Sequence, residues 1–217
     1  MTRLSFAGPG DAAGLAAFLG RQLRWDKAAA VRLQAGDGVA ALFTRPARFE
    51  VLAVLPVALR EGVPEPLDRT VSAGELLHGI DEQDGSVLLP GPVTGPPWAG
   101  LLPPRGGWEQ RAEMPASRLR EAAAAVVAEF KERTEALPAD GRTRSAVDAL
   151  AEEIWSRPLP GTQLPSRAVH AAHALGFLRT QEPGLILSAG SWLRLRTAPG
   201  SVAVRRGGGP SLGVMPL

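Results

Sequence analysis

Two histidines, His170 and His173, stand three residues apart, a spacing that puts both rings on one side of a helix. Such a pair can chelate zinc or iron when a carboxylate or third imidazole completes the set. Glu152 and Glu153 are the candidate carboxylates, and His78 is the one remaining histidine. A metal site usually needs three well-placed ligands, so these are read as structural histidines, and no metal or cofactor is expected. The run Gly8-Pro9-Gly10-Asp11-Ala12-Ala13 fits the G-x-G-x-x-A pattern that lets a pyrophosphate approach a helix N-terminus. Asp11 would put a carboxylate where the phosphate sits, so the run is read as a turn with Asp11 as N-cap. No G-x-S-x-G is present, and Ser191 lacks the nucleophile-elbow context.

Arginine offers a third chemistry. Residues 164–217 carry Arg167, Arg179, Arg194, Arg196, Arg205 and Arg206 against Glu182 alone. Guanidinium groups gathered on one surface bind phosphate. Arg167 falls on the first turn of a predicted helix. Arg194 and Arg196 alternate with Leu193 and Leu195, which points both to one face of a strand. Arg205 and Arg206 follow on the next strand. Arg167, Arg194, Arg196, Arg205 and Arg206 are therefore the candidate nucleic-acid contacts. A fourth chemistry lies in the Pro/Gly loop around Trp98, Arg105 and Trp108, where two indoles and a guanidinium could hold a carboxylate or phosphate ligand.

These groups depend on elements that hydrophobic spacing predicts. Leu15, Phe18, Leu19 and Leu23 recur at helical intervals after Asp11. Val39–Phe43 and Phe49–Leu59 read as strands, and residues 30–60 as an antiparallel hairpin or meander, with Pro46 and Pro56 expected at edges or bulges. Ser72 with Glu75 has the capping-box spacing for a short helix reaching Ile80. Residues 85–108 hold 12 Gly or Pro in 24 positions. That density predicts a loop without regular structure, packed down by Trp98 and Trp108. Three helices follow: one over Leu119–Leu137, one starting near Ser145 and ending at Arg157-Pro158, and one starting at Pro165. Glu129 and Arg133 pair at i,i+4. Strand-like runs Leu185–Ser188, Trp192–Arg196 and Val202–Arg206 close the pattern.

The predicted class is α+β. An N-terminal helix-plus-antiparallel-sheet unit spans 1–84, and a Pro/Gly/Trp-rich strap spans 85–114. A three-helix unit with a terminal β-meander spans 115–206, and a flexible tail spans 207–217. The helix-then-hairpin order resembles that of a winged helix-turn-helix.

Composition bounds the rest. The chain has 217 residues, 45% hydrophobic, and no Cys, which excludes disulfides, Cys-ligated metal and a thiol nucleophile. The pI near 9.9 overstates the basic character, because the net charge is +2 and there is no Tyr or Cys. No apolar run is long enough to span a bilayer, and no secretory signal stands at the N-terminus, so a cytoplasmic location without membrane partners is expected. The expected function is a non-enzymatic binding protein that contacts nucleic acid through its basic C-terminal unit. The alternatives are a small-molecule-binding protein or enzyme using the Trp98–Trp108 loop, and a structural or interaction protein that forms a homodimer or binds another protein.

Overall fold

The computed structural model describes residues 2–138 and 140–206. A short strand β1 (Arg3–Ser5) leads through the Gly-Pro-Gly turn into α1 (Asp11–Trp25). Strands β2 (Ala30–Gly36), β3 (Val39–Thr44) and β4 (Leu52–Ala58) form the expected meander, and β5 (Leu67–Ser72) adds to its free side. After α2 (Ala73–His78), the short strands β6 (Ile80–Asp81) and β7 (Ser86–Leu88) pair with each other, and β7 with β1, as a separate three-stranded sheet. The strap continues through a 3-10 turn at Pro97–Gly100 into β8 (Glu109–Met114). Three helices then follow, α3 (Ala116–Glu135), α4 (Arg144–Ser156) and α5 (Ser166–Ala174). Strands β9 (Gly184–Ala189), β10 (Trp192–Arg196) and β11 (Ser201–Arg205) complete the described chain.

One antiparallel sheet of eight strands runs through both halves, in the order β5-β2-β3-β4-β11-β10-β9-β8. Its central seam joins β4 to β11, with Leu52, Ala53 and Val54 opposite Ala203, Val202 and Ser201. The α+β class with antiparallel sheets is therefore correct, but the winged-helix-like arrangement is not what the chain adopts. The terminal strands are not a free hairpin wing, because their alternating residues Leu193, Leu195, Val202 and Val204 are buried in the same core as β2, β3 and β4. Strands with one face so apolar must pair and pack rather than project.

Several local expectations shift for identifiable reasons. Gly10 occupies the N-cap position of α1. Asp11 is the first helical residue, and its carboxylate instead accepts from the Gly8 amide at 2.9 Å. Pro56 lies within an interior strand rather than at an edge, because β11 pairs with β4 only as far as Val54. β4 runs past the end of its neighbour there, and no partner strand needs the missing N–H. Ser72 caps α2 as expected, accepting from Glu75 N at 3.4 Å. Thr143, rather than Ser145, caps α4. The Gly/Pro-rich stretch is not wholly irregular, since β7 and the 3-10 turn fall within it. The tail 207–217 lies outside the described residues.

The helices cover one face of the large sheet. Leu15, Phe18 and Leu19 of α1, Leu76 of α2, Leu119 and Ala123 of α3, and Val169 and Ala172 of α5 are buried there. Phe18 stacks on Phe177 with ring centroids 5.8 Å apart, tying α1 to the segment after α5. Gly200, in the turn between β10 and β11, meets that segment closely. A Cβ there would lie 2.7 Å from Cζ of Phe177 and 2.8 Å from the Val54 carbonyl oxygen. Gly200→Ala should therefore destabilise the protein by about 1–3 kcal/mol. That lowers Tm by roughly 2–4 °C per kcal/mol for a chain of this size. Because the sheet is shared, far-UV circular dichroism and tryptophan fluorescence should report one coincident transition in both wild type and variant.

Candidate nucleic-acid interface

The arginines expected to form one platform are divided by the sheet, and Arg167 is set apart further by its ion pairs. Arg167 has a side chain only 14% exposed and is held between Glu152, at 2.6 Å, and Glu50. Its role there is local. Arg48 and Glu50 have left-handed backbones, with φ of 74° and 52°, a conformation that persists only where surroundings enforce it. Phe49 between them is wedged against Trp25 at 5.0 Å and His170 at 5.1 Å, and the Arg167–Glu50 pair holds the following residue.

Arg194 and Arg196 do share a face, as the alternation predicts, but it is the face opposite the helices. Arg194 lies over Trp108, 5.2 Å from the ring centre, and its Nε donates to the Ser201 hydroxyl at 2.8 Å. Burial, and secondarily Arg196, lowers its pKa. Arg196 and Arg205 are exposed, and Arg205 pairs in register with Trp192 on that same face. Arg206 turns toward the sheet margin. It donates to Gln163 Oε1 at 2.8 Å and to the Gly190 carbonyl at 2.7 Å, beside a cleft of about 620 Å³ that Arg111 also lines.

The Trp98–Trp108 loop is anchored rather than open. Both indoles pack against Leu52, Trp192 and Ala203 on the outer face of the sheet. Arg105 donates to Gln34 Oε1 at 3.3 Å and lines a groove over β2, β3 and β4, whereas Trp98 borders a different cavity beside Arg45 and Arg48.

His170 is sandwiched by Trp155 at 4.5 Å and Phe49, while His173 is exposed. Glu152 and Glu153 are engaged by Arg167 and Arg133. No group of three His, Cys, Asp or Glu is placed to share a metal ion among the described residues. The sheet edges are blunted. β8 carries Glu109, Arg111 and Glu113 and a register shift between Gln110 and Ala112, and the Val93 amide donates to the Thr70 carbonyl along β5. No described helix is long and apolar enough to cross a membrane.

A basic cluster that the charge count overlooked lies on the helix side. The guanidiniums of Arg21 and Arg179 both come within 3.3 Å of the point a Cβ on Gly176 would occupy, so they face each other across that glycine. Arg24 stands one turn along α1 from Arg21. Burial and the adjacent Arg179 and Arg24 together lower the Arg21 pKa. Arg120 of α3 reaches the same segment, donating to the carbonyls of Leu178 at 3.0 Å and Thr180 at 3.1 Å. None of these arginines is in an ion pair among the described residues. By contrast, Arg133 of α3 is engaged by Glu129 and Glu153, and Arg157 by Glu129. The i,i+3 spacing of Arg21 and Arg24 was readable in the sequence. The meeting of Arg21 with Arg179 required the packing of Phe18 on Phe177.

Burial, reinforced by His173, holds the His170 pKa below its usual value. The folded state therefore binds fewer protons than the unfolded chain just below pH 6.5, and stability falls as pH drops through that range. Urea unfolding between pH 7.5 and 5.5 should show this loss, and His170→Phe should flatten it.

Known proteins resemble the chain in fold. A family profile described as a domain of unknown function, DUF8010, matches residues 1–100, and another, DUF8185, matches residues 103–209. No curated protein matches the chain in sequence. Among solved structures, the pol III beta of Caulobacter crescentus aligns with a TM-score of 0.54 at 13% identity, over 94% of this chain and 65% of that one. The DNA polymerase sliding clamp of Pseudomonas aeruginosa aligns at 0.52 and 12%, over 99% and 68%. The Helicobacter pylori beta clamp aligns at 0.53 and 11%, over 100% and 67%. The chain thus has the fold seen in sliding clamps and spans about two thirds of their length.

Proposed function

We propose that the protein is a nucleic-acid-associated binding protein that contacts the phosphate backbone through its helix layer, using Arg21, Arg24, Arg120 and Arg179. The observation that carries this reading is the approach of Arg21 of α1 to Arg179, with Arg24 one turn away and Arg120 of α3 bonded to the carbonyls on either side of Arg179, all four free of ion pairs among the described residues. Like charges brought together at a partly buried surface repel one another, and a polyanion relieves that repulsion. Support of a second kind comes from the fold, which is similar to that of proteins described as DNA polymerase sliding clamps. The role of Arg167 as a strut for the loop at Glu50, and of Arg194 as a stack on Trp108, moves the proposed contact away from the terminal strands. The proposed role is a binding one, with nucleic acid and protein partners, and it requires no chemical step.

Fluorescence polarisation with duplex DNA at several salt concentrations tests it. Contact with four phosphates gives a slope of log affinity against log salt of about −3.6. Arg21→Gln with Arg179→Gln should make the slope shallower by about 1.8 and weaken binding uniformly across sequences. Arg196→Gln with Arg205→Gln, on the opposite face of the sheet, should leave the slope unchanged. Wild-type protein without salt-sensitive binding, or a slope that responds only to the second pair, would overturn the reading.

A further inference from the structure

The face of the large sheet opposite the helices is only partly covered. The strap lays Trp98 and Trp108 on Leu52, Trp192 and Ala203 and sets the Ala99 carbonyl against Arg32 of β2, and beside it a groove stays open along β2, β3 and β4. A groove of about 650 Å³ remains there, within the range typical of small-molecule sites. Its floor is Ala41, Phe43, Val54 and Pro56, whose register sets Phe43 beside Val54 and Ala41 beside Pro56. Pro64 and Pro66 also line it, as do Pro103 and Pro104 from the strap. Val39, at the far end, is 44% exposed, and Ala41 on the same face is half-buried. Proline-framed walls lose little entropy when a ligand orders them, because their φ angles are already set.

The charges on this groove are unequal in their partners. Asp68 is taken by Arg32 at 2.7 Å and Gln34 at 2.9 Å, and Arg105 leans on Gln34. Asp37 sits in the turn beyond Gly36. That turn lies near Ala58 of β4, six residues and roughly 20 Å along the strand from Leu52, the row that carries Arg194. Arg194 has no carboxylate within ion-pair distance among the described residues. Its Nε is used by Ser201 and its plane rests on Trp108, while its terminal nitrogens have no hydrogen-bond partner there. A stacked guanidinium with its outer edge free presents a fixed two-pronged donor for a carboxylate.

We infer that this groove is a binding site for a small amphipathic carboxylate, with the acid on the outer edge of Arg194 and the apolar body along Phe43, Val54 and Pro56. The inference is independent of the nucleic-acid reading, because it uses the opposite face of the sheet and none of the same arginines. It also gives Trp108 a task, as the platform beneath the Arg194 cation.

Titration calorimetry with decanoate and with decan-1-ol on the full chain tests it, read alongside tryptophan fluorescence. Decanoate should bind about tenfold or more tighter than the alcohol, since a charge-assisted hydrogen bond separates the two. Arg194→Met keeps the apolar stem on Trp108 and should bring decanoate down to the affinity of the alcohol. Pro56→Asp alters an exposed floor position without touching the core and should weaken both probes. Equal affinity of the two probes for the wild type, no binding of either, or a preference for decanoate that survives Arg194→Met would each overturn the proposal. If Arg194→Met fails to fold, unchanged binding in Pro56→Asp overturns it by the same measure.

Discussion

The pairing of β4 with β11 is the constraint on which everything else in the molecule depends. Three residues from the first third of the chain, Leu52, Ala53 and Val54, meet three from its last described strand. Closing so long a loop carries an entropy cost that only a shared core offsets. Leu55 and Val57 on one side, and Leu193, Leu195, Val202 and Val204 on the other, supply that core under α1 and α5. Once the seam is made, the sheet has a continuous covered face and a continuous outer face, and each collects residues from both halves.

The two faces carry different chemistry for the same reason. On the helix side, Phe18 against Phe177 brings the end of α1 up to the segment after α5, and arginines from distant parts of the chain meet there. On the outer side, the row Leu52, Ala203, Arg194 runs straight across the seam. The strap lays Trp98 and Trp108 over part of that row, so one arginine becomes half-buried without an acidic partner. Neither arrangement exists within a single half of the protein.

Arginine serves three physical roles in this chain, and composition does not separate them. Arg133 and Arg157 fasten α3 to α4 through Glu129 and Glu153. Arg167 holds a loop whose backbone is strained at Arg48 and Glu50. Arg21, Arg24, Arg120 and Arg179 gather without acidic partners among the described residues. A count over residues 164–217 finds the excess of charge, but it cannot see that Glu50 and Glu152, from outside that segment, neutralise its first member.

The sequence by itself determined the local elements. The helical stripes of α1, α3, α4 and α5, the Ser72 cap, the β2-β3-β4 meander and the three terminal strands all follow from spacing and turn residues, which act over a few positions. Strands β5 and β8 escaped it, because Leu67–Ser72 and Glu109–Met114 are mostly polar or half-exposed edge strands with little alternation to detect. Only the tertiary structure decided that the terminal strands extend the first sheet rather than form a wing, and which arginines are spent on ion pairs. Register across β4 and β11, and the approach of Arg21 to Arg179, depend on packing between segments some 150 residues apart, and no local pattern encodes which apolar face will meet which.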